Sequence, residues 1–201
     1  MNFPPPNDSP PRMKKILILV LAAVALVATA CTQPKKSMNT AETTSQHKVL
    51  VAYFSATGTT AAVAQRLAKA AGADLYSITP AAGYTAADLD WNDKQSRSSV
   101  EMADEKSRPA LGGDSINTDA YDVIYVGYPI WWDLAPRVVN TFLDAHNLKG
   151  KTIIPFATSG GSTIANSARV LKQTYPQATW REGRLLNGAS DKELSDLVAG
   201  E

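Results

Sequence analysis

From residue 49 onward the chain alternates short apolar runs with amphipathic stretches. Val49-Leu-Val-Ala-Tyr-Phe54 is apolar, β-branched and aromatic, which predicts a strand buried on both faces. Ala61 to Ala71 is Ala-rich, carries apolar residues at helical spacing and stops at Gly72, which predicts a helix. Asp74 to Ile78 reads as a short strand ending at Thr79-Pro80. Tyr121 to Gly127 is a nearly continuous apolar strand. Pro136 opens an amphipathic helix bearing Val138, Val139, Phe142 and Leu143, and Gly150 closes that unit. Lys151 to Ala157 is the next strand, and a helix runs from Ile164 to Thr174. Ala178 to Leu186 reads as a last strand, with Ser190 capping a final helix from Asp191 to Ala199. The pattern weakens between Ala81 and Ala120, where Asn92 to Ser107 reads as an exposed helix ended by Arg108-Pro109.

Repeated strand–helix units predict a doubly wound α/β fold, a parallel sheet with helices on both faces. Ligands of such sheets bind beyond the carboxyl ends of the strands. Three unusual loops follow strands, at residues 55–60, 128–134 and 158–163.

The first loop, Ser55-Ala-Thr57-Gly58-Thr59-Thr60, carries four hydroxyls and leads into a helix. Backbone N–H groups and the positive end of a helix dipole converge there, which suits an anion and above all a phosphate. No Lys or Arg lies in the loop, so its donors are neutral. An ordinary Ser/Thr helix cap is the plainer reading, but four hydroxyls exceed what a cap needs. The second loop offers Pro129, Ile130, Trp131 and Trp132, and paired indoles suit stacking on a planar ring. Its plainer reading is packing of one indole onto the 81–120 segment. The third, Thr158-Ser159-Gly160-Gly161-Ser162, lets the main chain approach a flat heterocycle, or is simply a helix-entry turn. Together the loops describe a site for a mononucleotide with a large flat base.

Ahead of the domain, Met13-Lys14-Lys15, the apolar run Ile16 to Val27 and Ala28-Thr29-Ala30 read as a secretory signal peptide. Residues 1–30 are assigned to it, with 1–12 as an upstream extension. Ala28-Thr29-Ala30-Cys31 resembles a bacterial lipobox, with Ala28 where Leu is usual. The resemblance implies lipidation at Cys31, residues 31–47 as a flexible tether, and an exported domain held to a membrane of the cell envelope by that anchor alone. Plain secretion with an unpaired thiol is the alternative.

Charge narrows the function. The full chain holds 20 basic and 19 acidic residues. Beyond residue 30 the balance is 17 basic to 18 acidic, which disfavours nucleic acid as a partner. One Cys and two His supply no metal cluster, and no nucleophile–His arrangement supports a hydrolase.

Ser55-x-Thr57-Gly58-x-Thr60 resembles the phosphate loop of flavodoxins. Gly127-Tyr-Pro-Ile-Trp-Trp132 and Pro155-Phe-Ala-Thr-Ser-Gly-Gly-Ser162 resemble the two isoalloxazine loops of a flavodoxin-like subfamily of bacterial proteins. Pro80…Tyr84 and Arg108-Pro109 fit that subfamily's extended connection. The likeness covers residues 48–199 and implies a three-layer sandwich on a five-stranded 2-1-3-4-5 sheet, with non-covalent FMN. By motif position Ser55, Thr57, Gly58, Thr59 and Thr60 hold the phosphate. Pro129, Ile130, Trp131 and Trp132 line one side of the ring, and Thr158, Ser159, Gly160, Gly161 and Ser162 its other edge. The implied function is electron transfer, or NAD(P)H-dependent reduction of a quinone-like acceptor. The 81–120 segment, with Tyr84 and Trp91, reads either as a substrate wall, which favours the reductase, or as an extended solvent-facing connection. The chain departs from classical flavodoxins in lacking their acidity. Its rival reading is a surface lipoprotein that binds another phosphorylated ligand or a protein.

Overall fold

The computed structural model describes residues 48–200. The expected signal peptide, Cys31 and the tether lie outside the described residues. In chain order the elements are β1 (Val49–Tyr53), α1 (Thr59–Ala71), β2 (Asp74–Ser77), β3 (Thr79–Pro80), α2 (Arg97–Ala103), β4 (Leu111–Gly112), β5 (Val123–Pro129), α3 (Arg137–Asp144), β6 (Thr152–Thr158), α4 (Ala165–Thr174), β7 (Thr179–Trp180), β8 (Arg184–Leu185) and α5 (Asp191–Ala199). The main sheet is parallel, in the order β2-β1-β5-β6-β7, with β8 also paired to β6. Taking β7 and β8 as one interrupted strand gives the anticipated 2-1-3-4-5 arrangement.

Strand alternation divides the core in two. Leu50, Ala52, Ile124, Val126, Tyr128 and Ile153 face α3 and α4, packing on Val138, Val139, Phe142 and Leu171. Val51, Tyr125, Ile154 and Phe156 face α1 and α5, packing on Val63, Ala64, Leu67 and Leu194. The α5 start is a capping box: the Ser190 side chain accepts from the Glu193 amide while Glu193 reaches back to the Ser190 amide.

Two expectations need correction. The long helix over 92–107 is only α2, Arg97–Ala103. Asp90 and Asp93 accept from the amides of Asn92 and Gln95 at 2.9 and 2.8 Å, so local side-chain turns displace the helix until Ser96 caps it. The last strand is broken at residues 181–183. The carbonyls of Lys151, Ile153 and Ala157 all accept from that strand, so residue 155 points the same way. Residue 155 is proline and has no N–H to continue the ladder.

The 81–110 insertion is clamped at its base by the antiparallel pair β3–β4. Inside it, Arg97 lies 4.1 Å over the Tyr84 ring, its Nε donates to Glu101 at 2.6 Å, and its Nη1 donates to Ala82 O at 2.7 Å. Tyr84 also donates its hydroxyl to Glu101. Burial, then the Glu101 bond, pushes the Tyr84 phenol well above its usual range.

Burial likewise pushes Tyr128 and Tyr175 up to about 12. In the unfolded chain a tyrosine ionises at about pH 10. The unfolded state therefore sheds these protons first, and stability is lost as pH rises from about 10 through the folded-state values. Urea midpoints measured across that range should fall with pH, less steeply in Tyr175→Phe.

Candidate functional site

The three sequence-predicted loops leave the carboxyl ends of β1, β5 and β6, which are adjacent strands. In the first, Gly58 has φ +91 and begins α1. That left-handed turn suits glycine, which adopts it at no steric cost. The Ser55 hydroxyl oxygen accepts from the Gly58 amide at 3.1 Å and fixes the turn. The amides of Thr57, Thr59, Thr60 and Ala61 have no acceptor among the described residues. The first turn of α1 carries no acidic side chain. Thr57 and Thr59 expose hydroxyls 3.4 Å apart. Thr60 differs: its side chain is buried and shares a 2.8 Å hydrogen bond with the Thr158 hydroxyl. It ties the first loop to the third, and only its amide remains for a ligand.

In the second loop the chain reverses sharply. Trp131 N–H donates to Leu134 O at 3.0 Å, and Leu134 N–H donates back to Trp131 O at 2.9 Å. The two residues between them, Trp132 and Asp133, have φ of 46 and 62. Positive φ at both central positions is the pattern of a type I′ turn, normally filled by Asn and Gly. A tryptophan in that conformation is strained, and strain of this kind concentrates at functional sites. Its result is an indole held 47 % exposed. The Asn166 side-chain amide steadies the turn by donating to Asp133 O at 3.2 Å. Asp133→Gly should therefore stabilise the domain by about 1 kcal/mol, read from the urea midpoint.

The two indoles have different surroundings. Trp131 packs edge-on against Phe54 at 5.5 Å and Tyr84 at 5.3 Å. It joins the 128–134 loop to the insertion. Trp132 has no such ring partner among the described residues and borders a cavity of about 390 Å³. Ala56, Thr57, Pro129, Ile130 and Trp131 line the same cavity, together with Leu89, Trp91 and Ser98 from the insertion. Its volume falls in the usual small-molecule range. Trp91, 72 % exposed, stands at this wall, whereas Tyr84 braces Trp131 from behind. Leu89 and Ser98 carried no sequence signal, because they reach the cavity only through the folded insertion.

The third loop sits alongside. Thr158 is buried, and its carbonyl accepts from the Ile130 amide at 2.9 Å. The Ser159 hydroxyl oxygen accepts from the amides of Gly161 and Ser162 at 3.1 and 2.8 Å, so those donors serve the turn itself. Gly160 and Gly161 are exposed, with open space where a Cβ would stand. Asn187 clamps the loop reciprocally. It accepts from the Ser159 amide and donates to the Ser159 carbonyl, both at 2.8 Å. Nothing local in the sequence marks Asn187, which lies 28 residues from its partner.

A family model for flavodoxins matches residues 48–200. A candidate flavoprotein from Bacteroides eggerthii DSM 20697 is 62 % identical, with a TM-score of 0.73, covering 76 % of this chain and 98 % of its own. Another from Bacteroides uniformis ATCC 8492 is 56 % identical, with a TM-score of 0.74 and the same coverage. A flavoprotein from Lactobacillus acidophilus NCFM, solved in complex with FMN, shares the fold at 20 % identity and a TM-score of 0.58, over 73 % of this chain and 97 % of its own. No curated protein matches the chain. With the parallel sheet, the hydroxyl loop and the family match over the whole described domain, the chain belongs to the flavodoxin family.

Proposed function

We propose that the chain is an FMN-binding redox protein that reduces a small planar acceptor at the cell envelope. One observation carries this reading: exposed Thr57, whose amide has no acceptor among the described residues, lines the same cavity as Trp131 and Trp132. The donor set suits a phosphate, and the cavity walls suit a planar ring. The relative solved with FMN supports the choice of ligand.

In this assignment Thr57, Thr59, Thr60 and Ala61 offer amides to the phosphate, Gly58 supplies the left-handed turn between them, and the Thr57 and Thr59 hydroxyls add donors. Ser55 and Thr60 hold the loop's shape through Gly58 and Thr158. Trp132 stacks on the ring and Pro129 and Ile130 floor it, while the 158–162 loop, whose Ser159, Gly161 and Ser162 amides are already engaged, supports the second loop through the Thr158 carbonyl. Trp131 keeps this wall rigid from behind. The bound flavin supplies the electron chemistry, and the protein's residues bind it, orient it and tune its surroundings. None of these residues is assigned an acid–base role.

The insertion favours a reductase over a protein-to-protein carrier. Leu89 and Trp91 give the cavity an apolar second wall, which suits a quinone-like ring. Trp91→Ala should raise KM for a soluble quinone several-fold while leaving kcat and FMN affinity near wild type. Equal KM values would assign Trp91 to the solvent surface.

The two tryptophans separate binding from folding. Trp132→Ala should weaken FMN binding about tenfold through lost stacking and burial, with an unchanged urea midpoint. Trp131→Ala should lower stability by about 2–3 kcal/mol, because it empties the space between Phe54 and Tyr84.

Envelope attachment rests on the sequence before residue 48. Cys31→Ser should move the protein from the detergent phase to the aqueous phase in a phase-partition assay. Retention in the detergent phase would contradict the lipid anchor.

A further inference from the structure

A second cleft, of about 250 Å³, lies between α3, α4 and the 105–108 segment. Its floor is Arg137, the first residue of α3, which is only 6 % exposed. The Arg137 Nη2 donates to Met102 O at 3.0 Å. Its Nε is buried with no acceptor among the described residues, and no carboxylate pairs with this guanidinium there. A buried cation without a counter-ion is costly. Burial itself depresses the Arg137 pKa, with Arg108 opposing the charge and Glu105 and Asp104 favouring it. Arg108 is already committed: its Nε pairs with Asp144, and its Nη1 donates to the Glu105 and Ser107 carbonyls at 2.9 and 2.8 Å.

The remaining walls define the missing partner. Ser167 donates to Ile164 O, and Thr174 donates to Val170 O, so neither hydroxyl proton is left for a ligand. Leu134, Ala135, Val170 and Leu171 make one side apolar. Asn140 donates to the Tyr175 hydroxyl at 3.3 Å, and with Arg108 committed to Asp144, Arg137 beside the apolar wall in so small a volume fits a compact amphiphilic anion. We propose that this cleft binds a short-chain monocarboxylate, its head on the Arg137 guanidinium and its tail on Leu134, Ala135, Val170 and Leu171. Glu105, at the same cleft, is the carboxylate within the chain that would compete for Arg137.

The test follows the Arg137 Nε–H signal in proton–nitrogen correlation spectra of the purified protein, assigned by its loss in Arg137→Lys. Sodium butyrate and sodium acetate are titrated separately at fixed ionic strength. The expected result is a saturable shift, with butyrate binding about tenfold more tightly than acetate through its two additional methylenes. Glu105→Gln should bind butyrate at least as tightly as wild type. No saturable shift with either salt, or equal affinity for both, overturns the proposal. The wild-type and Glu105→Gln titrations decide the matter even if Arg137→Lys does not fold.

Discussion

Gly127→Ala is expected to destabilise the domain by about 3 kcal/mol, the upper end of the usual cost of overpacking. Gly127 lies in β5 directly opposite Phe156 of β6. The Phe156 ring crosses the neighbouring strand and occupies the space a side chain would need. A Cβ on Gly127 would stand 2.1 Å from Cζ and 2.6 Å from Cε2 of that ring. Phe156 is fully buried beneath α1 and α5, so its ring cannot swing into solvent. The urea midpoint should drop with an unchanged slope, the signature of lost stability without a change in the surface exposed. Phe156→Leu is the check. Alone it destabilises by leaving a cavity, but combined with Gly127→Ala it should cost clearly less than the two changes summed. Additive effects would mean that the ring is not what the new methyl meets.

The second large effect concerns the ligand. Thr57→Ala with Thr59→Ala should weaken FMN binding about a hundredfold and leave riboflavin binding unchanged. Each hydroxyl bonded to a charged phosphate contributes about 1.5–3 kcal/mol, and about 1.4 kcal/mol is a factor of ten. These two hydroxyls are exposed beside amides with no protein acceptor, so their removal does not disturb the loop. Ser55→Ala and Thr60→Val are different, because they break the loop's own bonds to Gly58 and Thr158. They should weaken FMN and riboflavin alike. Equal losses of both ligands in the Thr57/Thr59 double variant would remove the phosphate from this loop.

Particular residues show why some features were legible in the sequence and others were not. The strands were readable because burial on both faces demands continuous apolar runs, as in Val123–Pro129. The start of α5 was readable because Ser190 and Glu193 form their cap within one turn. The sheet order came from the resemblance, since strand pairing joins residues far apart in the chain. The break near Pro155 was missed because it depends on which side of β6 that residue faces. The helix expected over 92–107 failed where Asp90 and Asp93 captured nearby amides. Within the candidate site, the loops were legible as local composition. The division of labour between Trp131 and Trp132 was not, since it follows from where Phe54 and Tyr84 pack. The sequestering of the Thr60 hydroxyl by Thr158 spans 98 positions and leaves no local trace. Arg137 likewise reads as an ordinary helix-start cation until the fold buries it.

The most direct test of the central claim is a titration of FMN into the purified protein, followed by visible absorption and flavin fluorescence. The account predicts flavin bands that co-elute with the protein and fluorescence quenched by the stacked indole, with much of the quenching lost in Trp132→Ala. A colourless protein that leaves added FMN fully fluorescent would contradict it and favour a surface module that binds a different phosphorylated ligand or a protein.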